Sequence, residues 1–414
     1  MIRSSKHSLK YTNQNKRDNL SIFLTEYRRL LQVILDDLWE NGLESFFNIQ
    51  KNQLKIPSFL PNDYLKKHDS WLTARMKQGV GKQVCSMLKA AVKKRSQQFY
   101  VLKKLQRKSE PTPSLQKAID IQPLVKPNSS NAKPELDSRF VDFKESSSFD
   151  LFIRVKTIGK KISLLIPINQ TRVGNKWTKR GIRKTSIRLS EENLYLFYDC
   201  KKAKKKTHGS VVGADQGITT ALTLSDTQVT KSCPHGHTLS SIQKKLSRRR
   251  KGSFGFQRAV SHRLNYVNWS LNQLDFSSVK ELRFEKVKHI RRNRRSSRFL
   301  SHWTYPLIKQ KLTSISETEG FRIVEVDSQY RSQRCSNCGW VRKANRRQKL
   351  FSCNRCNFVS DADLNASLNL RLDLFEIPKK VRLRKLNRDG FYWNSEGLFL
   401  VNQERIVPDI PVQT

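Results

Sequence analysis

Acidic residues are scarce in this 414-residue chain: 35 aspartates and glutamates face 80 lysines and arginines, giving a formal net charge of +45 and a pI near 10.3. An excess of this size repels itself unless a polyanion neutralises it, so nucleic acid is the expected partner and idle solvated faces the weaker account. Long hydrophobic runs are missing as well. No apolar stretch approaches the roughly 18 residues a membrane span requires, and the opening MIRSSKHSLKYTNQNK has no apolar centre of the kind a secretory leader carries. A soluble protein of the cell interior, without membrane association, is expected. Cysteine is sparse and odd in number, seven in all, which argues against a disulfide framework. Cys85 and Cys200 read as packing residues, and there is no internal repeat.

A chain of this length accommodates two or three domains, each with a core of its own. Residues 5–11, SKHSLKY, alternate like a short strand. Leu20, Leu24, Tyr27, Leu31, Ile34 and Leu38 then recur at steps of three and four, the mark of an amphipathic helix. A second helix is expected over roughly 71–100, with Met76, Val84, Leu88 and Ala91 on one face and Lys82, Lys89, Lys93, Lys94 and Arg95 largely off it. The proline- and serine-rich stretch from about 108 to 137 reads as a linker. Beyond it, RFVDF, DLFIRVKT, KISLLIPI, TSIRL and NLYLFYDC predict a small antiparallel sheet or barrel, bounded by KKAKKK at 201–206.

Three carboxylates stand out against the basic background. In VVGADQGITTALTLSD, Asp215 sits between Gly213 and Gly217, which permit close approach of backbone or ligand; an aspartate between glycines is otherwise a common turn residue. In VKELRFEKVKHIRRNRR a strand marked by Val279, Leu282, Phe284 and Val287 carries Glu285, with Glu281 as the competing choice. In DADLNASLNL, Asp363 falls where a helix bearing Leu364, Leu368 and Leu370 begins. There the alternative makes Asp361 or Asp363 an N-cap and Asn365 a turn residue. Taken together, carboxylates drawn from separate elements are what magnesium-assisted phosphodiester hydrolysis needs, because hard cations favour oxygen ligands and a metal pair stabilises both attacking and leaving oxygens.

Cys335, Cys338, Cys353 and Cys356 form two CxxC pairs with fourteen residues between them, a spacing suited to a closed, structural, tetrahedral zinc site. CPHGH, with Cys233, His235 and His237, lacks a fourth ligand at suitable spacing along the chain and is read as no site. Candidate nucleic-acid contacts are Lys244, Lys245, Arg248, Arg249 and Arg250, with Lys251 beside them, then Arg291, Arg292, Arg294 and Arg295. The cysteine loop adds Arg342, Lys343, Arg346, Arg347 and Lys349. Trp71, Tyr100 and Trp177 have rings able to stack on bases, although most such side chains serve a core.

GADQGI with Asp215, RFEKV with Glu285, YRSQRCSNCG at 330–339 and DADLNAS with Asp363 together resemble TnpB, the transposon-encoded RNA-guided nuclease, and its relatives the compact type V CRISPR effectors. The resemblance covers about 209–370. It implies a multidomain α/β protein whose RuvC nuclease, of RNase H-like fold, comes in two parts (209–329 and 361–378) around an inserted zinc-ribbon target-nucleic-acid-binding loop (330–360). It further implies a wedge β-barrel (1–13 and 137–208) interrupted by a helical recognition domain with its linker (14–136), and a basic tail (379–414). The implied activity is RNA-guided DNA cleavage beside a short motif read by the protein, with Asp215, Glu285 and Asp363 as catalytic magnesium ligands and Asp361 a non-catalytic neighbour. Guide RNA, structural zinc and double-stranded target DNA are the implied partners, for a monomer or a homodimer on one RNA, in a prokaryotic cytoplasm and at the nucleoid when bound to DNA. The tail and Ser367, where the family often has alanine, depart from the pattern. Two other readings are a nuclease-silent RNA-guided repressor or recruiter, and a strand-transfer transposase, which leaves the zinc loop's position unexplained.

Overall fold

The computed structural model describes residues 1–42, 47–48, 53–54, 56–107, 126–286, 304–378 and 386–406. The chain divides into two units, 1–201 and 202–414, each mixing helix and strand. Among the described residues no helix is long and apolar enough to cross a membrane.

The first unit opens with β1 (Ile2–Ser8), three residues earlier than the alternation in SKHSLKY suggests. Helix α1 (Gln14–Asp37) follows from its leucine stripe: Leu20, Leu24, Tyr27, Leu31 and Ile34 are buried together with Phe23, Leu30 and Leu35. Asn13 caps it, accepting the Lys16 amide at 3.1 Å. The short strands β2 (Phe47–Asn48) and β3 (Gln53–Leu54) pair, and α2 (Asn62–Lys66) leads to the long α3 (Ala74–Gln106). The buried face of α3 is Met76, Val80, Val84, Leu88 and Val92, a run of four-residue steps, and Ala91 is only half-buried. Then come β4 (Glu135–Leu136), β5 (Val141–Lys144), β6 (Leu151–Val155), β7 (Leu164–Ile168), α4 (Arg172–Thr178), β8 (Gly181–Leu189) and β9 (Asn193–Cys200). They make two antiparallel sheets, β1-β9-β8-β4 and β5-β6-β7, so the first strand of the chain joins the strands beyond the proline-rich stretch. Cys85 and Cys200 are buried in this unit's core, as packing residues.

The second unit is built on β10 (Ser210–Asp215), β11 (Thr223–Leu224), α5 (Leu239–Arg248), α6 (Phe254–Leu271), β12 (Val279–Lys286), α7 (Tyr305–Glu319) and β13 (Arg322–Asp327). The sheet runs β11-β10-β12-β13, with β10, β12 and β13 parallel and β11 antiparallel at the edge. Its parallel strands are apolar where they are covered: Val212, Ala214, Leu282 and Phe284 pack with Leu239, Ile242, Val267, Ile308 and Leu312 from the helices. Four short strands follow, β14 (Trp340–Val341), β15 (Arg346–Arg347), β16 (Leu350–Ser352) and β17 (Val359–Asp361), then α8 (Ala362–Arg371), β18 (Phe391–Trp393) and β19 (Leu398–Phe399). Within the tail, residues 391–399 pack with the cysteine ribbon. β18 pairs with β14 and β19, and Phe391, Trp393 and Leu398 share a core with Val341 and Ile377. Val287 of the expected strand and Arg291, Arg292, Arg294 and Arg295 lie outside the described residues, as do 108–125 of the expected linker and 379–385 and 407–414 of the tail.

Candidate functional site

Asp215 ends β10, 8% exposed, at the carboxyl edge of the parallel strands. The register of β12 sets Phe284 opposite Ala214, so Glu285 follows one residue further along the neighbouring strand, half-buried. The third acid arrives on a helix that only glycine admits. A Cβ on Gly213 would stand 2.0 Å from the Ser367 carbonyl oxygen and 2.5 Å from the Arg371 amide, so α8 lies directly against the strand there. Ser367, fully buried, keeps the contact small on the helix side. The same placement carries Asp363, in the first turn of α8 and 3% exposed, to the end of β10, where a Cβ on Gly217 would come within 3.5 Å of Asp363 Oδ2.

Asp361, not Asp363, is the N-cap. Its Oδ1 accepts the amides of Asp363 at 2.9 Å and Leu364 at 3.0 Å, which satisfies the helix start and leaves the Asp363 carboxylate to the cluster. Glu281 is likewise accounted for. Burial would raise its pKa, but hydrogen bonds from Arg283 (2.8 Å) and Arg322 (3.1 Å) outweigh that and hold it low, as expected of a structural ion pair. At Glu285 the balance is reversed: burial first and the charge of Asp215 second push it up to about 8. Burial, then the charge of Asp363, pushes Asp215 up to about 7, with Arg346 and Lys349 pulling the other way. Glu285 thus feels the charge of Asp215 and Asp215 that of Asp363, which marks acids close enough to repel one another.

Two cations from the ribbon reach this cluster. Arg346 Nη2 donates to Asp363 Oδ1 at 3.0 Å and Lys349 Nζ to Asp363 Oδ2, with Thr220 Oγ1 3.4 Å from the same ammonium. The donor set of Asp215, Glu285 and Asp363 fits magnesium: all oxygen, largely buried, and electrostatically relieved by a dication. Their oxygens stand further apart than the sulfurs of the cysteine ribbon. Among the described residues the four thiolates are the one set of three or more ligand atoms lying within 4.8 Å of one another.

Those thiolates have the geometry of a tetrahedral zinc centre. Cys335 and Cys356 sulfurs are 3.7 Å apart, as are those of Cys338 and Cys353, the edge expected for bonds of about 2.3 Å. Each CxxC closes in the same turn. The Cys335 amide donates to Trp340 O and the Gly339 amide returns to Cys335 O, with Gly339 at φ 80°; Cys353, Phe358 and Asn357, at φ 57°, repeat this. Burial lifts the Cys335 thiol to about 11, so metal binding must displace a proton there.

Sequence reasoning misses several residues that fix this arrangement. Asn365 is no turn residue. From inside α8 its Nδ2 donates to Arg334 O at 2.8 Å while its Oδ1 accepts the Ser336 amide at 3.0 Å. Asn369, one turn on, donates to the same carbonyl at 2.7 Å and accepts from Arg334 Nη1 at 2.6 Å. The first cysteine turn is thus bolted to the helix that bears Asp363. Two asparagines four apart in a helix otherwise rich in leucine and alanine are the signal, since asparagine is a poor helix former unless its amide is used. Arg331, buried, covers the far end of α8 by donating to the carbonyls of Asn369 and Leu372.

The basic candidates scatter differently. Lys244, Lys245, Arg248 and Arg249 line one groove of about 500 Å³ along α5. Arg250 follows it, exposed, as are Lys343 and Arg347, whereas Arg342 is half-buried. Of the aromatic candidates, Trp71 and Trp177 pack against the first core and Tyr100 is exposed.

A family model described as "Cas12f1-like, TNB domain" matches residues 305–370, from α7 to α8. The chain is 31% identical over 138 residues, 33% of its length, to the CRISPR-associated endodeoxyribonuclease Cas12f1 of Sulfoacidibacillus thermotolerans, covering 32% of that protein. It is 31% identical over 93 residues, 21% of its length, to a TnpB-like protein of Aquifex aeolicus (strain VF5), covering 30% of it. The matches thus span a third or less of these relatives. Among solved structures, a Cas12f1–sgRNA–target DNA complex aligns over 90% of this chain and 98% of its own at 14% identity and a TM-score of 0.42. The chain is thus similar over residues 305–370 to the Cas12f1-like TNB family, and over a third of its length or less to a Cas12f1 and to a TnpB-like protein.

Proposed function

We propose that this protein is an RNA-guided DNA endonuclease that hydrolyses phosphodiester bonds with magnesium in a RuvC-type site of RNase H-like fold. Asp215, Glu285 and Asp363 would hold the ions, which supply charge for the attacking and leaving oxygens. The observation that supports the reading is the convergence of three acids from distant parts of the chain towards the carboxyl edge of a parallel sheet, where burial and then the charge of Asp363 raise Asp215, and burial and then the charge of Asp215 raise Glu285. The name of the Cas12f1 relative, a CRISPR-associated endodeoxyribonuclease, supports it. On this reading the RuvC parts are 209–329 and 361–378, the ribbon 330–360 is a target-nucleic-acid-binding insertion held by zinc, and 379–414 is a basic tail. The wedge comprises 1–13 and 137–208, and the helical recognition domain is 14–136. Lys244, Lys245, Arg248, Arg249, Arg250, Arg291, Arg292, Arg294, Arg295, Arg342, Lys343, Arg346 and Arg347 then position guide RNA and DNA through their backbones, while base pairing reads sequence.

The test is cleavage of a matched plasmid by the protein with its copurifying RNA and magnesium. Asp215→Ala, Glu285→Ala and Asp363→Ala should each abolish cutting and leave guide-dependent binding within a few-fold of wild type. Loss of binding in all three, or cutting that survives them, overturns the assignment. One observation favours a second reading, a nuclease-silent RNA-guided binder: Arg346 and Lys349 already neutralise Asp363. In that case the wild-type complex binds its matched DNA tightly and cuts nothing at any magnesium concentration.

A further inference from the structure

The loop CPHGH has no part in the cluster of acids or in the four-thiolate centre. Along the sequence it offers three metal-binding side chains and no fourth. The fold supplies one. His262, on α6, meets His237 edge to face, with ring centroids 4.8 Å apart and planes at 81°. Two imidazoles sharing a tetrahedral zinc at about 2.0–2.1 Å hold their centroids roughly 5 Å apart, so this pair already has the spacing of co-ligands.

The loop backbone gives an independent indication. The Cys233 amide donates to His237 O at 2.9 Å, the Gly236 amide returns to Cys233 O at 2.8 Å, and Gly236 has φ 73°. This is the turn of the chain's own two cysteine knuckles, shortened by one residue. In each knuckle the metal ligands are the residue that opens the turn and the one just before the left-handed position: Cys335 and Cys338 before Gly339, Cys353 and Cys356 before Asn357. The equivalent pair here is Cys233 and His235.

We propose that Cys233, His235, His237 and His262 form a second zinc site, with one thiolate and three imidazoles as ligands. A tight turn with a left-handed glycine makes the same backbone bonds without a metal, but it does not bring a histidine from another helix onto the loop. The ligand atoms have not converged as those of the four cysteines have. His235 and His237 are exposed, so rotation of their side chains is what closing the site requires. The consequence would be mechanical. Thr238, next in the chain, caps α5, so zinc would tie the start of the helix bearing the Lys244–Arg249 groove to α6.

The experiment is a zinc count on the full-length protein, expressed with zinc, dialysed against metal-free buffer and measured by plasma mass spectrometry, with cobalt substitution as a second readout. Two zinc ions per chain are expected. Cys233→Ser and His262→Ala should each retain one, keep the circular dichroism of the wild type, and preserve the strong thiolate-to-cobalt absorption of the four-cysteine centre. One zinc per wild-type chain, a second zinc lost on dialysis as an adventitious ion, or a count of two unchanged in both variants overturns the proposal. Should His262→Ala fail to fold, the wild-type count and Cys233→Ser still decide it. The outcome is independent of the nuclease reading, since neither measurement involves guide RNA or cleavage.

Discussion

Burial and like charge oppose the ionisation of Asp215 and Glu285, and this sets a measurable pH dependence. In the unfolded chain both ionise near the ordinary carboxylate value of about 4, whereas in the folded protein they do so at about 7 and about 8. Between those limits the native state keeps protons that the unfolded chain has released, so stability falls as pH rises. Without divalent metal, the melting temperature should drop from pH 5 to pH 8, and magnesium should restore it more at pH 8 than at pH 5. Differential scanning fluorimetry across that range checks this, and Asp215→Asn should flatten the metal-free profile. A flat wild-type profile would mean that the carboxylates are not clustered. The three acids stand out in the sequence as candidates, Asp215 by its flanking glycines, Glu285 by its apolar strand and Asp363 by its place at a helix start, but each has a common structural alternative there, and it is the resemblance to TnpB that joins them. The ion pairs of Asp363 with Arg346 and Lys349 are not legible in it, because nothing along a basic loop tells which cations fold back onto an acid and which face solvent.

Helix α8 is the element on which the site depends, because it carries Asp363 at one end and holds the cysteine ribbon through Asn365 and Asn369 along its length. Gly213→Ala puts a methyl group against backbone that cannot move aside as a side chain would, and should destabilise the protein by at least ~1–3 kcal/mol in chemical denaturation. Asn365→Ala removes one of the two amide donors to the Arg334 carbonyl and the side-chain acceptor of the Ser336 amide, a loss of about 1–3 kcal/mol that should appear as faster hydrogen exchange at Ser336. Unchanged exchange there would mean that zinc alone holds the turn. The long elements can be read in advance from their periods: the stripe of α1 and the alternating runs that form β6, β7 and β9. The pairing of Phe391–Trp393 with Trp340–Val341 cannot, since strands of two or three residues carry no period and their partner is chosen by the shared core around Val341.

Over the whole molecule the charge of +45 decides how it must meet its partners. Each phosphate neutralised by a lysine or arginine releases counterions, which lowers log K by about 0.9 per decade of salt on duplex DNA and about 0.7 on single strands. Lys244, Lys245, Arg248 and Arg249 share one groove along α5, and all four are exposed. Replacing all four with alanine should therefore flatten the slope of log K against log salt for nucleic-acid binding by about 3, a value that follows from four contacts at that rate. The melting temperature should move little, since the core side of α5 is Leu239, Ile242 and Leu246, which the replacement leaves in place. Titrations by fluorescence anisotropy between about 50 and 200 mM salt, where such a set of contacts changes affinity by orders of magnitude, measure the slope directly. An unchanged slope with an intact fold would assign the groove to solvent and move the polyanion's path to other basic residues.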